Sequence, residues 1–163
     1  MSWQVLVHGG SVRRALLRGG LMAVVLLVGS QYVLSPVRAV GISMQPAVHE
    51  GEWLWLWRPA AWQGAPERGQ VVGVTLASGE ALLVKRVVGL PGERVFIADG
   101  VVFVNDVPLD EPYVTHRRPW QIHEVTLAAD EIYVIGDNRG MSARSHDFGR
   151  ASLARVAGRI LGR

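Results

Sequence analysis

The chain contains no cysteine, which excludes disulfide scaffolds, thiol nucleophiles and thiolate metal sites. Lysine is nearly missing too. Of 17 lysines and arginines, Lys85 is the one lysine and all the rest are arginine. The arginines are scattered and the net charge is only +3, so no basic stripe with stacking aromatics offers itself to a nucleic acid. Helical periodicity is absent beyond one N-terminal run, and no internal repeat or low-complexity stretch occurs. The Gly-x-Ser-x-Gly string of a nucleophile elbow does not occur. There are 5 histidines (His8, His49, His116, His123 and His146), and none stands in a recognisable triad string.

What the chain does have is apolarity, at 49% of its 163 residues, with the excess near the N-terminus. Such a length accommodates one domain plus an anchor. From Gly19 to Leu34 there is no charge. With Ala15, Leu16 and Leu17 ahead of an Arg18 that can snorkel, the run reaches about twenty residues, as a bilayer core requires. Arg13, Arg14 and Arg18 precede it and Glu50 and Glu52 follow. The positive-inside tendency therefore predicts a cytoplasmic tail over residues 1–14, a transmembrane anchor over 15–35 and an extracytoplasmic domain over 36–163. Two other readings stand beside this one: a secretory signal cleaved after Val37-Arg38-Ala39, or a buried core helix.

Past Pro36 the pattern turns to short alternating strands broken by glycine and proline, so the fold class is mainly β. Strands are predicted over Glu52–Arg58, Gln70–Leu76, Ala81–Val88, Val125–Leu127, Ile132–Ile135 and Leu153–Leu161. Pro59–Arg68 reads as a loop and Ser78-Gly79 as a turn. Arg94–Ile97 and Val101–Asn105 form a predicted hairpin about Asp99-Gly100, with a primed turn.

Two positions suggest chemistry. Ser43 follows the apolar run closely, and a serine needs an adjacent base to become a nucleophile. Lys85 lies in Leu82-Leu83-Val84-Lys85-Arg86-Val87-Val88, the most apolar strand. Burial there would favour its neutral amine, which can act as a base, whereas arginine holds its proton. Equally, loop serines and strand lysines commonly face water.

The strings around these residues resemble a known family. Ser43-Met44-x-Pro46 resembles the nucleophile box of type I signal peptidases, the serine–lysine proteases that remove leader peptides from exported proteins. Lys85-Arg86-Val87-Val88-Gly89-Leu90-Pro91-Gly92-Glu93 resembles their lysine box. The stretch from Val101-x-Val-Asn-Asp to Glu111-Pro112-Tyr113 and the string Gly136-Asp137-Asn138-Arg139 resemble two further segments, in the same order. The resemblance implies a signal-peptidase-like catalytic domain with Ser43 as nucleophile and Lys85 as general base. It implies that Ser142 orients the lysine amine, that Met44 lines the site, and that Arg86 and Asp137 form a buried structural pair. It implies preprotein substrates with small residues before the cut and a lipid bilayer as partner, at the plasma membrane with the catalytic domain outside. No cofactor, metal or nucleic acid is called for. A specialised pilin-processing or conjugation-type peptidase or cyclase of the same clan is the alternative.

The chain departs from that pattern at three places. Gly41 stands where some members have a serine that donates to the oxyanion, so a backbone N–H serves there or the donor is missing. Arg144 and His146 stand where an acid and an arginine are usual. In addition, Trp53, Trp55 and Trp57 alternate with Leu54 and Leu56, putting three indoles on one strand face, either in the core or at a membrane interface.

Overall fold

The computed structural model describes residues 9–76 and 81–163. The expected Ser78-Gly79 turn, and the first eight residues of the expected tail, lie outside the described residues. The chain divides into two units, 1–33 and 34–163. Within the first, helix α1 spans Gly9–Val33. Its apolar side chains, among them Leu16, Leu21, Val25 and Leu27, are all exposed.

No helix among the described residues is long and apolar enough to cross a membrane, so the expected span over 15–35 is not shown. Arg13, Arg14 and Arg18 sit in the first half of α1. The uncharged remainder, residues 19–33, is about 22 Å long at ~1.5 Å per residue. The helix also stops before Ser35, because Leu34 enters a strand that pairs with Trp57.

The second unit is two antiparallel sheets. Seven strands, β1 (Leu34–Arg38), β2 (Trp53–Trp57), β3 (Val71–Thr75), β4 (Leu82–Gly89), β9 (Glu131–Ile135), β10 (Gly149–Ser152) and β11 (Val156–Ile160), lie in the order β1-β2-β11-β3-β4-β9-β10. Four more, β5 (Arg94–Ala98), β6 (Val101–Val104), β7 (Val107–Pro108) and β8 (Ile122–Thr126), lie in the order β7-β6-β5-β8. The β5–β6 turn has positive φ at both Asp99 (48°) and Gly100 (78°), the backbone of a primed turn.

Differences from the sequence expectation fall at element ends. Leu153–Arg155 is a 3-10 turn rather than the start of the last strand, and β8 begins at Ile122 rather than Val125. Strands β1, β7 and β10 were not predicted. Each is short and pairs along one side only, so cross-strand hydrogen bonds rather than apolar alternation define it.

Three clusters make the core. One fills the joint between the sheets with Val88, Val95, Ile97, Val102, Trp120, Tyr133 and Ile135. Gly89 lies there because a Cβ would come 2.6 Å from Val95 Cγ2 and 2.9 Å from both Leu127 Cδ1 and Tyr133 Cβ; only glycine lets the sheets approach so closely. A second cluster, Ala39, Met44, Val48, Leu54, Leu56, Val71 and Ile160, packs under the loop that carries Ser43. The third gathers Val72, Val74, Val87, Ile132 and Val134.

In β2 the leucines face this core and Trp53 and Trp55 face outward, 67% and 55% exposed. The core reading thus fails for those two indoles. Trp57 is half-buried beneath the Arg159 guanidinium, 5.1 Å from its ring centre. Leu56→Ala should therefore lower stability by about 2–5 kcal/mol, whereas Trp53→Ser should change it by no more than about 0.5 kcal/mol. Chemical denaturation of the two variants checks this, and equal losses would contradict the strand's assigned facing.

Candidate active site

The start of β4 is where the site forms. Past Arg86 this strand pairs with β9, but from Leu82 to Lys85 it pairs with β3 alone, so its other edge is open. The loop 39–48 lies along that side. A cavity of about 100 Å³ opens between them, lined among others by Ala39, Ser43, Met44, Val48, Val84 and Lys85. Two polar side chains of its lining meet: Lys85 Nζ donates to Ser43 Oγ at 2.9 Å.

Lys85 is only 2% exposed. Burial drives its pKa down to about 8, against the opposing pull of Asp147 and then Asp137. Neither carboxylate forms a salt bridge with it among the described contacts, so the charged amine loses its water without a direct replacement. A second cavity, about 200 Å³, reaches Lys85 from the other side and is lined by Leu83, Val134, Asp147, Phe148 and Arg150, among others. An amine half deprotonated near pH 8, within hydrogen-bond reach of a hydroxyl, can take that hydroxyl's proton.

The next residue does the opposite. Adjacent strand residues face opposite ways, and Arg86 turns to a buried bidentate pair with Asp137: Nε to Oδ1 at 2.9 Å and Nη2 to Oδ2 at 2.6 Å. Its Nη1 donates to the Gly69 carbonyl at 2.7 Å, and its guanidinium lies 4.0 Å over the Tyr113 ring. A second buried pair escaped the sequence reading. Arg139 bonds both Glu111 carboxylate oxygens and donates from Nε to the Gly136 carbonyl at 2.8 Å. Tyr113 joins the two pairs, donating to Glu111 at 3.1 Å. Both partners stood in strings that had been noticed, Glu111-Pro112-Tyr113 and Gly136-Asp137-Asn138-Arg139. Their contact spans 28 residues of sequence, and neither string by itself points to the other.

These pairs stiffen the segment that holds the serine loop. Asn138 N–H donates to the Ser43 carbonyl at 3.0 Å and Asn138 Nδ2 to the Ile42 carbonyl at 3.0 Å. At Gly136 a Cβ would fall 2.2 Å from the Ser43 carbonyl oxygen. Gly41 has φ +86° with open space around it, so its glycine serves the backbone turn, and it carries no hydroxyl for an oxyanion. Met44 is buried at the cavity floor.

Ser142 is not brought to the amine. It is exposed, and its Oγ accepts from Arg144 N–H at 3.4 Å as the cap of a 3-10 turn over Ala143–Ser145. Arg144 is exposed as well, and no salt bridge to Asp147 forms among the described residues. His146, set aside in the sequence as one of five histidines outside any triad string, is buried behind the serine loop. The sequence marks the position only as a departure from the family string, where an arginine is usual.

A family model described as "Signal peptidase, peptidase S26" matches residues 12–162. Signal peptidase I of Bacillus licheniformis is 31% identical over 150 residues, covering 85% of this chain and 81% of its own length. Signal peptidase I T of Bacillus subtilis strain 168 is 29% identical, covering 85% and 78%. A crystal structure of a signal peptidase I from Enterococcus faecalis V583 superposes with a TM-score of 0.49 at 26% identity, covering 59% of this chain and 97% of that one.

A lysine held so far below its usual 10.5 costs stability. Between about pH 8 and 10.5 the unfolded chain binds more protons at this position than the folded one, so stability rises with pH across that window. Lys85→Met removes the cost, and should raise stability at pH 7 by up to about 3 kcal/mol, with the gain closing toward pH 10.5. Melting curves across that range check it; a variant that melts lower at pH 7 would refute the desolvation account.

Proposed function

The chain belongs to the signal peptidase family, peptidase S26, and we propose how this serine endopeptidase works: Ser43 is its nucleophile and Lys85, uncharged, its general base. The observation that carries the reading is the 2.9 Å contact between Ser43 Oγ and the buried Lys85 Nζ. With the amine neutral, the hydroxyl donates to it instead. Oγ attacks the scissile carbonyl while Nζ takes the proton, and the ammonium then gives that proton to the departing amine. The acyl-enzyme is cleared by a water that loses its proton to the same nitrogen.

The oxyanion of each tetrahedral intermediate is met by the Ser43 backbone N–H together with a second backbone donor, since Gly41 offers no side chain. The substrates are preprotein signal peptides. Their extended chain adds to the open edge of β4, which supplies register through main-chain hydrogen bonds. The cavity between Ala39, Met44, Val48 and Val84 is small, which favours small side chains before the cut.

The work takes place at a lipid surface, on the extracytoplasmic side of the plasma membrane. Helix α1 exposes apolar side chains along its length, with Arg13, Arg14 and Arg18 toward its start, the charge order of a segment that keeps its N-terminus cytoplasmic. Trp53 and Trp55 are exposed on an edge-proximal strand of the catalytic unit, and indoles favour the headgroup layer.

Incubation with a precursor carrying a leader, followed by sequencing of the new N-terminus, should reveal one cut after a small residue. Ser43→Ala and Lys85→Arg should each lower kcat by about 10⁴-fold or more while the protein stays folded, because the two side chains act as a unit. Near wild-type turnover by Lys85→Arg would end the lysine-base reading. In the wild type, kcat/KM should climb through about pH 8 to an alkaline plateau. Replacing Trp53 and Trp55 by serine should weaken binding to lipid vesicles and slow cleavage of membrane-bound precursors, yet spare a short soluble peptide. Unchanged vesicle binding would remove the indoles from the interface.

A further inference from the structure

His146 is 5% exposed, and its Nε2 accepts a hydrogen bond from the Gly136 N–H at 2.9 Å. A nitrogen that accepts carries no proton, so this ring is neutral, with its one proton on Nδ1. Nδ1 is buried and has no hydrogen-bond partner, so the ring gives up one bond to keep the other. Its plane is held edge-on to Trp120, 5.1 Å between centroids at 69°, and to Phe148, 5.9 Å at 60°. Trp120 is itself tied down by its indole N–H to the Met141 carbonyl at 3.0 Å.

The ring touches the site through one residue. At Gly136 a Cβ would lie 2.5 Å from His146 Nε2 and 2.2 Å from the Ser43 carbonyl oxygen. The imidazole and the serine loop therefore close on the same Cα, and two residues later Asn138 N–H bonds that same carbonyl at 3.0 Å. The Gly136 carbonyl meanwhile accepts from Arg139, so this residue is held through both its N–H and its carbonyl.

We propose that His146 is a positioning residue for the dyad: its ring fixes the Gly136 N–H, and through the segment from Gly136 to Asn138 it fixes the Ser43 carbonyl where Oγ meets Lys85. This rests on Ser43 and Lys85 being the reacting pair. The charged groups that act on the ring are Lys85 from β4 and Arg139 from the loop after β9; Asp137 and its own neighbour Asp147 act on Lys85. Burial first, then Lys85 and Arg139, push the imidazole pKa down to about 3, so it adds no second cation beside the base and no limb to the pH profile.

Two substitutions separate this role from simple packing. Glutamine at 146 can still accept from the Gly136 N–H, and leucine fills a similar volume without an acceptor. His146→Leu should lower kcat by about tenfold or more with KM changed by less than about twofold, because a backbone donor is orphaned beneath the nucleophile. His146→Gln should recover kcat to within about threefold of wild type, with its pH midpoint still set by Lys85. Nitrogen-15 NMR of the Ser43→Ala protein should show His146 with a bare Nε2 that does not titrate between about pH 5 and 9. A His146→Leu enzyme with wild-type kcat, a glutamine variant as slow as the leucine one, or an imidazole titrating near about 6.5 would each overturn the proposal. Should His146→Leu not fold, the glutamine kinetics and the NMR titration decide. Activity in Ser43→Ala or Lys85→Arg would instead bring down the dyad, and the imidazole titration would be unaffected by that.

Discussion

The constraint on which this structure turns is that one amine has to stay dry and unpaired. A buried lysine is tolerable only if its charge can leave, and burial lowers Lys85 to about 8 against the pull of Asp147 and then Asp137. The surroundings serve that end. Val84 and Leu82 close its strand, Met44 and Val48 floor the cavity, and the neighbouring imidazole is neutral. Of the two carboxylates that act on it, Asp137 is held by Arg86 through two hydrogen bonds. The buried Arg86–Asp137 pair satisfies that carboxylate with a partner other than the lysine.

The serine has a different difficulty: it belongs to no strand or helix. Its loop is held from outside by backbone bonds from Asn138, and Asn138 is held by what surrounds it. Arg139 ties Gly136 to Glu111, Arg86 ties Asp137 to β4, and Tyr113 bridges the two pairs. A loop over a rigid segment acquires the precision of that segment. Glycine at 136 is required for the same reason, since any side chain would push the serine carbonyl away.

The same alternation that separates Lys85 from Arg86 sorts β2. Leu54 and Leu56 seal the core beneath the serine loop while Trp53 and Trp55 stand in solvent. One five-residue strand therefore supports the site on one face and exposes two indoles on the other. The cost of exposing two indoles is otherwise hard to place in a catalytic unit of this size.

Much was legible in the sequence. Binary alternation and turn chemistry marked β2, β3, β4, the β5–β6 hairpin and β9, because local pattern and local structure agree there. The single lysine in its most apolar strand marked Lys85, since burial of that stretch follows from composition alone. Helix α1 ends at Val33, two residues short of the expected bound, because Leu34 pairs with Trp57, a partner 23 residues on. Ser142 matched a motif, yet in the fold its hydroxyl caps its own turn. The Glu111–Arg139 pair and the burial of His146 behind Gly136 left no local trace. Sequence alone determined which residues could be dry, because hydrophobicity is read residue by residue. Only the tertiary structure decided which polar groups meet inside that dry region, because each such contact joins strands far apart in the chain and its geometry exists only once both sheets have packed.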